Sequence, residues 1–270
     1  MQTTSLIIAF YKEVHSLQLV LAALERQSFK EFEVIIADDG TPNEVLPQVE
    51  ELLLSSPIPT SHIWQEDRGF RKNAILNKAV QSSSTNHLIF IDMDCVPHKE
   101  FIREHVENKK NKMFLTGRRV NLSEKITGKL TPENIRNGYL DSNLMYLILD
   151  GIIGGSKDIE KGIYIKSSLI RKLLNKKKRG ILGSNFSIHK DDLLDINGFD
   201  ERYIGPSIGE DSDIQYRLEL NGLKINSLNN IAIQYHLYHK QKPISQKNLH
   251  LFESVKKEQQ AYTLYGIKKA

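Results

Sequence analysis

Apolar residues fall in short blocks along the first hundred positions, and each block stops at a polar cluster. Residues 6–10 run into Tyr11, Lys12 and Glu13, residues 33–37 end at Asp38-Asp39-Gly40, and residues 88–91 end at Asp92-Met93-Asp94. Continuous apolar runs of this length predict strands covered on both faces, as in a parallel sheet. Between the first two blocks Leu17, Val20, Leu21 and Leu24 recur at helical spacing, so residues 5–39 predict a strand, a helix and a strand.

The alternation continues with a helix over 45–54, broken by Pro57 and Pro59, a short strand over 62–64 and a helix over 71–80 on Ala74, Ile75 and Ala79. An α/β fold follows, with a mostly parallel sheet flanked by helices and ligands at the carboxyl ends of its strands. Residues 108–180 lack a clear period and are expected to hold mobile loops and acceptor contacts. Regularity returns at Gly183. A strand or extended segment is expected over 184–189, a helix over 190–196 ended by Gly198, a helix over 211–221, and late strands near Ile225 and over 231–233. At 270 residues the chain fits one catalytic domain with four stretches, 1–107, 108–182, 183–245 and a tail over 246–270.

Composition changes this picture little. Hydrophobic residues at 40% and charged residues at 26% are ordinary for a globular protein. A net charge of +4 is too small to call for a nucleic-acid partner. The excess is clustered at 176–179, at Lys109, Lys110 and Lys112, and at Lys256, Lys257, Lys268 and Lys269. Such clusters are either solvated faces or a means of peripheral contact with an anionic membrane. A single cysteine, Cys95, can form no internal disulfide, and no apolar run is long enough to span a bilayer, so a cytoplasmic location is expected.

Four features carry candidate chemistry. Side chains alternate along an extended chain, so Asp92 and Asp94 can point the same way from a strand end, as a polar turn or as ligands for a divalent cation that also takes phosphate oxygens. Asp39, at the end of a neighbouring strand, can accept from a nucleobase N–H or a ribose hydroxyl, or can belong to a turn that Gly40 makes tight. Glu210 and Asp211 open a helix, where carboxylates are stabilising in themselves and where one could serve as general base. His236 or His239, late in the chain, could complete a cation site begun by Asp94.

Taken in order, the segments LIIAFY at 6–11, IIADDG at 35–40, GFRKNAILNKA at 69–79, IDMD at 91–94, GSNFSIHKDDLLDINGFDE at 183–201 and GED at 209–211 resemble family 2 glycosyltransferases. The last two also resemble β-1,4-galactosyltransferases and chondroitin-polymerase-type enzymes. The resemblance implies a GT-A, Rossmann-like nucleotide-binding fold and an inverting, metal-dependent transfer of a hexose or N-acetylhexosamine from a UDP-sugar to a saccharide in surface polysaccharide synthesis. It assigns Ala9, Phe10, Tyr11, Glu13, Asp39, Arg71, Asp92 and Met93 to the nucleotide sugar, and Asp94 with His236 to Mn2+ or Mg2+. Asp211, beside Glu210, becomes the catalytic base, and galactose or N-acetylgalactosamine the implied sugar. The implied acceptor is a growing glycan, lipid-linked if the lysine clusters meet a membrane. The chain departs from the family pattern where Leu76 precedes Asn77 in place of arginine, and where Pro206, Ser207 and Ile208 stand without a tryptophan on the acceptor side. Nucleotidyl transfer and non-catalytic binding of nucleotides or saccharides are the competing readings.

Overall fold

The computed structural model describes residues 2–175, 180–205, 209–240 and 245–269. Its first third alternates as the apolar pattern requires: β1 (Thr4–Phe10), α1 (Val14–Glu25), β2 (Phe32–Asp38), α2 (Leu46–Leu54), β3 (Thr60–Trp64), α3 (Lys72–Ser82) and β4 (His87–Asp92). Leu6 and Ile8 of β1 join Val34, Ile36, Ile89 and Ile91 under helix α1, whereas Ile7 joins Ile35 and Phe90 under Ile75 and Ala79 of α3. Both faces of these strands are thus buried, which is why their sequences are apolar throughout instead of alternating.

The irregular stretch is more ordered than its sequence suggests. After β5 (Cys95–Pro97) and α4 (Phe101–Glu107) it contains β6 (Met113–Thr116) and β7 (Arg118–Asn121), then α5 (Glu124–Thr127), α6 (Pro132–Arg136), α7 (Tyr139–Ser142), α8 (Leu144–Ile152) and α9 (Ser168–Leu174). Residues 108–180 are therefore not chiefly loop. Several of these helices are short and started by a side chain: Ser123, Thr131 and Ser167 each accept a backbone N–H of the first turn. The chain closes with β8 (Asn185–His189), α10 (Lys190–Asp195), α11 (Glu210–Leu220), β9 (Lys224–Ser227), β10 (Ile233–His236) and α12 (Gln246–Glu258). The late strand expected over 231–233 lies slightly further on, and His236 is its last residue.

The main sheet has the order β3-β2-β1-β4-β8-β6-β9, with β8 alone running against the rest. A second sheet, β5-β10-β7, lies beyond the β4 end. The chain steps outward from β1 through β2 to β3 and then returns to pair β4 on the other side of β1, with Ala9 opposite Asp92. This reversal of strand order opens a crevice at the strands' carboxyl ends. Among the described residues no helix is long and apolar enough to cross a membrane.

Candidate active site

The crevice is built first from backbone. Ala9 and Phe10 at the end of β1 accept N–H groups from Met93 (3.0 Å) and Asp39 (2.9 Å), and the Tyr11 N–H points at the Met93 sulfur, 3.3 Å away. These bonds hold the ends of β1, β2 and β4 together. Asp38 is consumed structurally: one oxygen accepts from Gly40 and Thr41 N–H, the other lies 2.9 Å from His62 Nε2. Gly40 sits at φ +100, and a Cβ there would stand 2.5 Å from the Asp67 Cα, so the turn admits only glycine.

Asp39 is fixed at both oxygens, by Gln65 Nε2 at 2.7 Å and the Arg71 N–H at 2.7 Å. Burial outweighs these donors and raises its carboxyl above the usual range. The other amide atom of Gln65, Oε1, is buried without a protein partner. Tyr11 donates its hydroxyl to Asp67 at 2.9 Å across the same edge. Glu13 is exposed at the start of α1; its N–H donates to the Tyr11 carbonyl at 2.7 Å, and its side chain makes no hydrogen bond to the other candidates among the described residues.

Arg71 and its neighbour part company. The Arg71 guanidinium donates to the Glu66 carbonyl at 2.5 Å and lies within electrostatic reach of Asp39 and Asp67. Lys72, the first residue of α3, places its ammonium 2.7 Å from Asp92 Oδ1. Burial alone would lower the lysine, but Asp92, Glu210 and Asp211 outweigh it and hold Lys72 well above its ordinary value. Both carboxylates of α11 thus lie within electrostatic reach of this one ammonium.

Helix α11 is aimed by two glycines. Gly209 adopts φ +110 at its N-cap, against the Tyr203 ring. The Gly183 N–H donates to Asp211 Oδ2 at 2.8 Å, and a Cβ on Gly183 would fall 1.9 Å from Asp211 Oδ1. Burial raises Asp211, and burial together with the Asp211 charge pushes Glu210 up to about 7. Glu210 Oε2 is buried without a partner.

Arg119 of β7 connects this pair to the third group. Its guanidinium donates to Ser184 Oγ at 3.2 Å and lies within electrostatic reach of Asp92, Asp94 and Asp211. Asp94 follows β4, and its Oδ2 lies 3.3 Å from His236 Nε2 and 3.2 Å from His239 Nε2, while the two imidazole nitrogens are 3.2 Å apart. These bonds hold the Asp94 carboxyl well below its usual range despite burial, and the bond to Asp94 raises His239. Three such edges match those of a coordination shell with ligand distances near 2.1 Å, so the donor set fits a divalent cation. Cys95 Sγ also lies within 4.8 Å of the Asp94 and His236 ligand atoms, while His239 closes the tighter triangle with both, so either could be the third ligand.

A family model described as glycosyl transferase family 2 matches residues 5–185, about two thirds of the chain. The chain belongs to glycosyl transferase family 2. A second model, described as the N-terminal domain of galactosyltransferase, matches residues 171–240. An uncharacterised glycosyltransferase of Bacillus subtilis, YfnE, is 31% identical over 108 residues, 40% of this chain and 27% of that protein. The glycosyltransferase AglE of Haloferax volcanii is 28% identical over 38% of this chain and 34% of its own. The matched stretch is thus about a third or less of either relative's length. S. aureus TarS, solved with UDP, superposes with a TM-score of 0.61 at 16% identity, over 96% of this chain and 65% of that one. The Pyrobaculum calidifontis mannosyltransferase PcManGT, solved with GDP-Man and Mn2+, superposes at 0.57 with 13% identity, over 88% and 57%. The fold of this family 2 chain is GT-A.

Reading the family 2 sequence did not single out Lys72, Arg119, Gln65 or Gly183. Lys72 stands next to Arg71 in the motif, and only the helix start decides which of the two faces Asp92. Arg119 lies in the weakly patterned stretch, where nothing in the sequence announces β7. The acceptor-side segment 206–208 and the basic run 176–179 lie outside the described residues.

Proposed function

We propose that this chain transfers a hexose or N-acetylhexosamine from a UDP-sugar to a saccharide hydroxyl with inversion. The observation that carries the reading is the meeting of three segments in one crevice: Asp92 with Lys72, the Glu210–Asp211 pair, and the Asp94–His236–His239 triangle. The crevice gathers five carboxylates, Asp39 among them, against the two cations Lys72 and Arg119, so an added cation would favour a bound diphosphate. A divalent cation on the triangle would neutralise the diphosphate and its developing charge as it leaves. Two imidazoles in the donor set favour Mn2+ over Mg2+, which prefers oxygen ligands.

Asp39, rigid between Gln65 and the Arg71 N–H, presents an acceptor for a nucleobase N–H, and the unpaired Gln65 Oε1 offers a second. Asp211, held at one oxygen by Gly183, accepts the acceptor hydroxyl's proton; its desolvated carboxylate is a stronger base than one in water. Attack by that hydroxyl on the anomeric carbon, opposite the departing diphosphate, is a single displacement and inverts the configuration. The solved TarS complex with UDP-GlcNAc and the galactosyltransferase match support a UDP-sugar donor, with galactose or N-acetylgalactosamine first among candidates and a surface glycan as acceptor.

The test is a panel of UDP- and GDP-sugars with Mn2+, reading nucleoside diphosphate release and product anomeric configuration. Asp211→Asn should lower turnover about 100- to 10,000-fold while donor binding holds. Pyrophosphate release would instead indicate nucleotidyl transfer, and near wild-type turnover of Asp211→Asn would remove the base assignment.

A further inference from the structure

Helix α9 is turned inside out. On a helical projection Leu169, Ile170, Leu173 and Leu174 fill one arc of about 140°, with Ser168, Arg171 and Lys172 on the remainder. In a helix that serves a protein core the apolar arc faces inward. Here the tethers lie on the polar side: Arg171 donates to the Ile165 and Lys166 carbonyls of the segment leading into the helix at 2.8 and 2.7 Å, and Asn175 at the C-cap donates to Asn230 Oδ1 at 3.2 Å. The apolar arc faces out, with Leu169 72%, Ile170 49%, Leu173 67% and Leu174 64% exposed, and no residue of the helix is buried. Such a stripe in water carries an unfavourable hydration free energy that a covering surface would relieve.

Charge indicates what covers it. Residues 156–180 carry nine Lys and Arg against two Asp and Glu, whereas the rest of the chain carries 28 against 31 and is net acidic. Lys166 and Lys172 flank the stripe and are exposed. A second copy of this chain would meet the basic segment with an identical basic segment. An anionic bilayer offers both an apolar interior boundary and negative headgroups, the pairing that holds amphipathic helices at membrane interfaces.

We infer that α9 is a membrane-seating helix that inserts Leu169, Ile170, Leu173 and Leu174 into the interface of an anionic lipid bilayer, with Lys166 and Lys172 against the headgroups. The inference rests on the face of α9 and not on sugar transfer. It is tested by co-sedimentation of the full chain with phosphatidylcholine vesicles, with and without phosphatidylglycerol, across a salt series. Wild type should bind the anionic vesicles and release with salt. Leu169→Ser with Leu173→Ser should lower the partition coefficient roughly tenfold or more, and Lys166→Gln with Lys172→Gln should lower it and flatten its salt dependence. Because both leucines are exposed, the serine variant should melt as wild type does, which separates loss of seating from loss of fold. Absence of wild-type binding at low salt, or undiminished binding by the serine variant, overturns the proposal. So does concentration-dependent self-association that the serine variant abolishes, since a second copy would then be the cover.

Discussion

Glu210 shows at the scale of one residue how the fold sets chemistry. Its carboxyl has an ordinary value of 4.5 and is pushed up to about 7 by burial and by Asp211, with Lys72 opposing. Between those values the unfolded chain has lost the proton that the folded chain keeps, so stability falls as pH rises through this window. Glu210→Gln removes the ionisation. The variant should gain thermal stability relative to wild type at pH 8, and the gap should close towards pH 5. Melting curves at the two pH values check it, and an equal gap at both would show that the group is not strained by ionising. The carboxylates themselves were legible in the sequence because each ends an apolar run or opens a helix. Lys72 and Arg119 were not, because their placement depends on where α3 begins and on a strand, β7, that lies in a segment with no period of its own.

At the scale of an element, α11 must hold its first turn still for Asp211 to be aimed. The anchor ties that turn to the next one, where Arg217 Nε donates to Asp213 Oδ2 at 2.8 Å with both side chains 1% exposed. Tyr203 donates to the other Asp213 oxygen at 3.2 Å, and Arg217 Nη1 donates to the Ile196 carbonyl at 3.0 Å. Removing one partner strands a buried charge, so Asp213→Ala should cost about 3–5 kcal/mol in denaturant titrations. A loss under 1 kcal/mol would show that water reaches the guanidinium and that the anchor lies elsewhere. Elements of this kind mark the limit of sequence reading. Strands β1, β2 and β4 and helices α1 and α3 could be read because each carries its own apolar pattern. The helices α5 to α7 span four or five residues and are started by Ser123 or Thr131 or by the turn at Gly138, and so small a unit is held by what it packs on. The four residues of β10 were displaced from the expected 231–233 because Ile231 to Ile233 reads as apolar on either side of the true strand start.

At the scale of the whole molecule, the proposed cation ligands link its two sheets. Asp94 leaves β4 of the seven-stranded sheet, whereas His236 ends β10 of the three-stranded one and stands opposite Cys95 of β5. The Leu237 N–H already donates to the Asp94 carbonyl at 2.8 Å, so the two segments are held together by backbone before any ligand arrives. A cation bound across them favours only the native arrangement, because unfolding separates ligands far apart in the chain. At a hundredfold excess over Kd this linkage is worth about 2.7 kcal/mol, equivalent to roughly 5–10 °C in Tm for a chain of this size. Mn2+ should therefore raise the Tm of wild type but not of Asp94→Asn, and equal melting with Mn2+ and with chelator would remove the site. The shift should depend on pH in a definite direction. His239 must be neutral to bind a metal, and its bond to Asp94 raises it above 6.5, so protons compete increasingly as the pH falls through and below that value. The Mn2+-induced shift should therefore shrink from pH 8 to pH 6. In His239→Ala the shift should be smaller at pH 8, and the part of the pH dependence that His239 contributes should disappear.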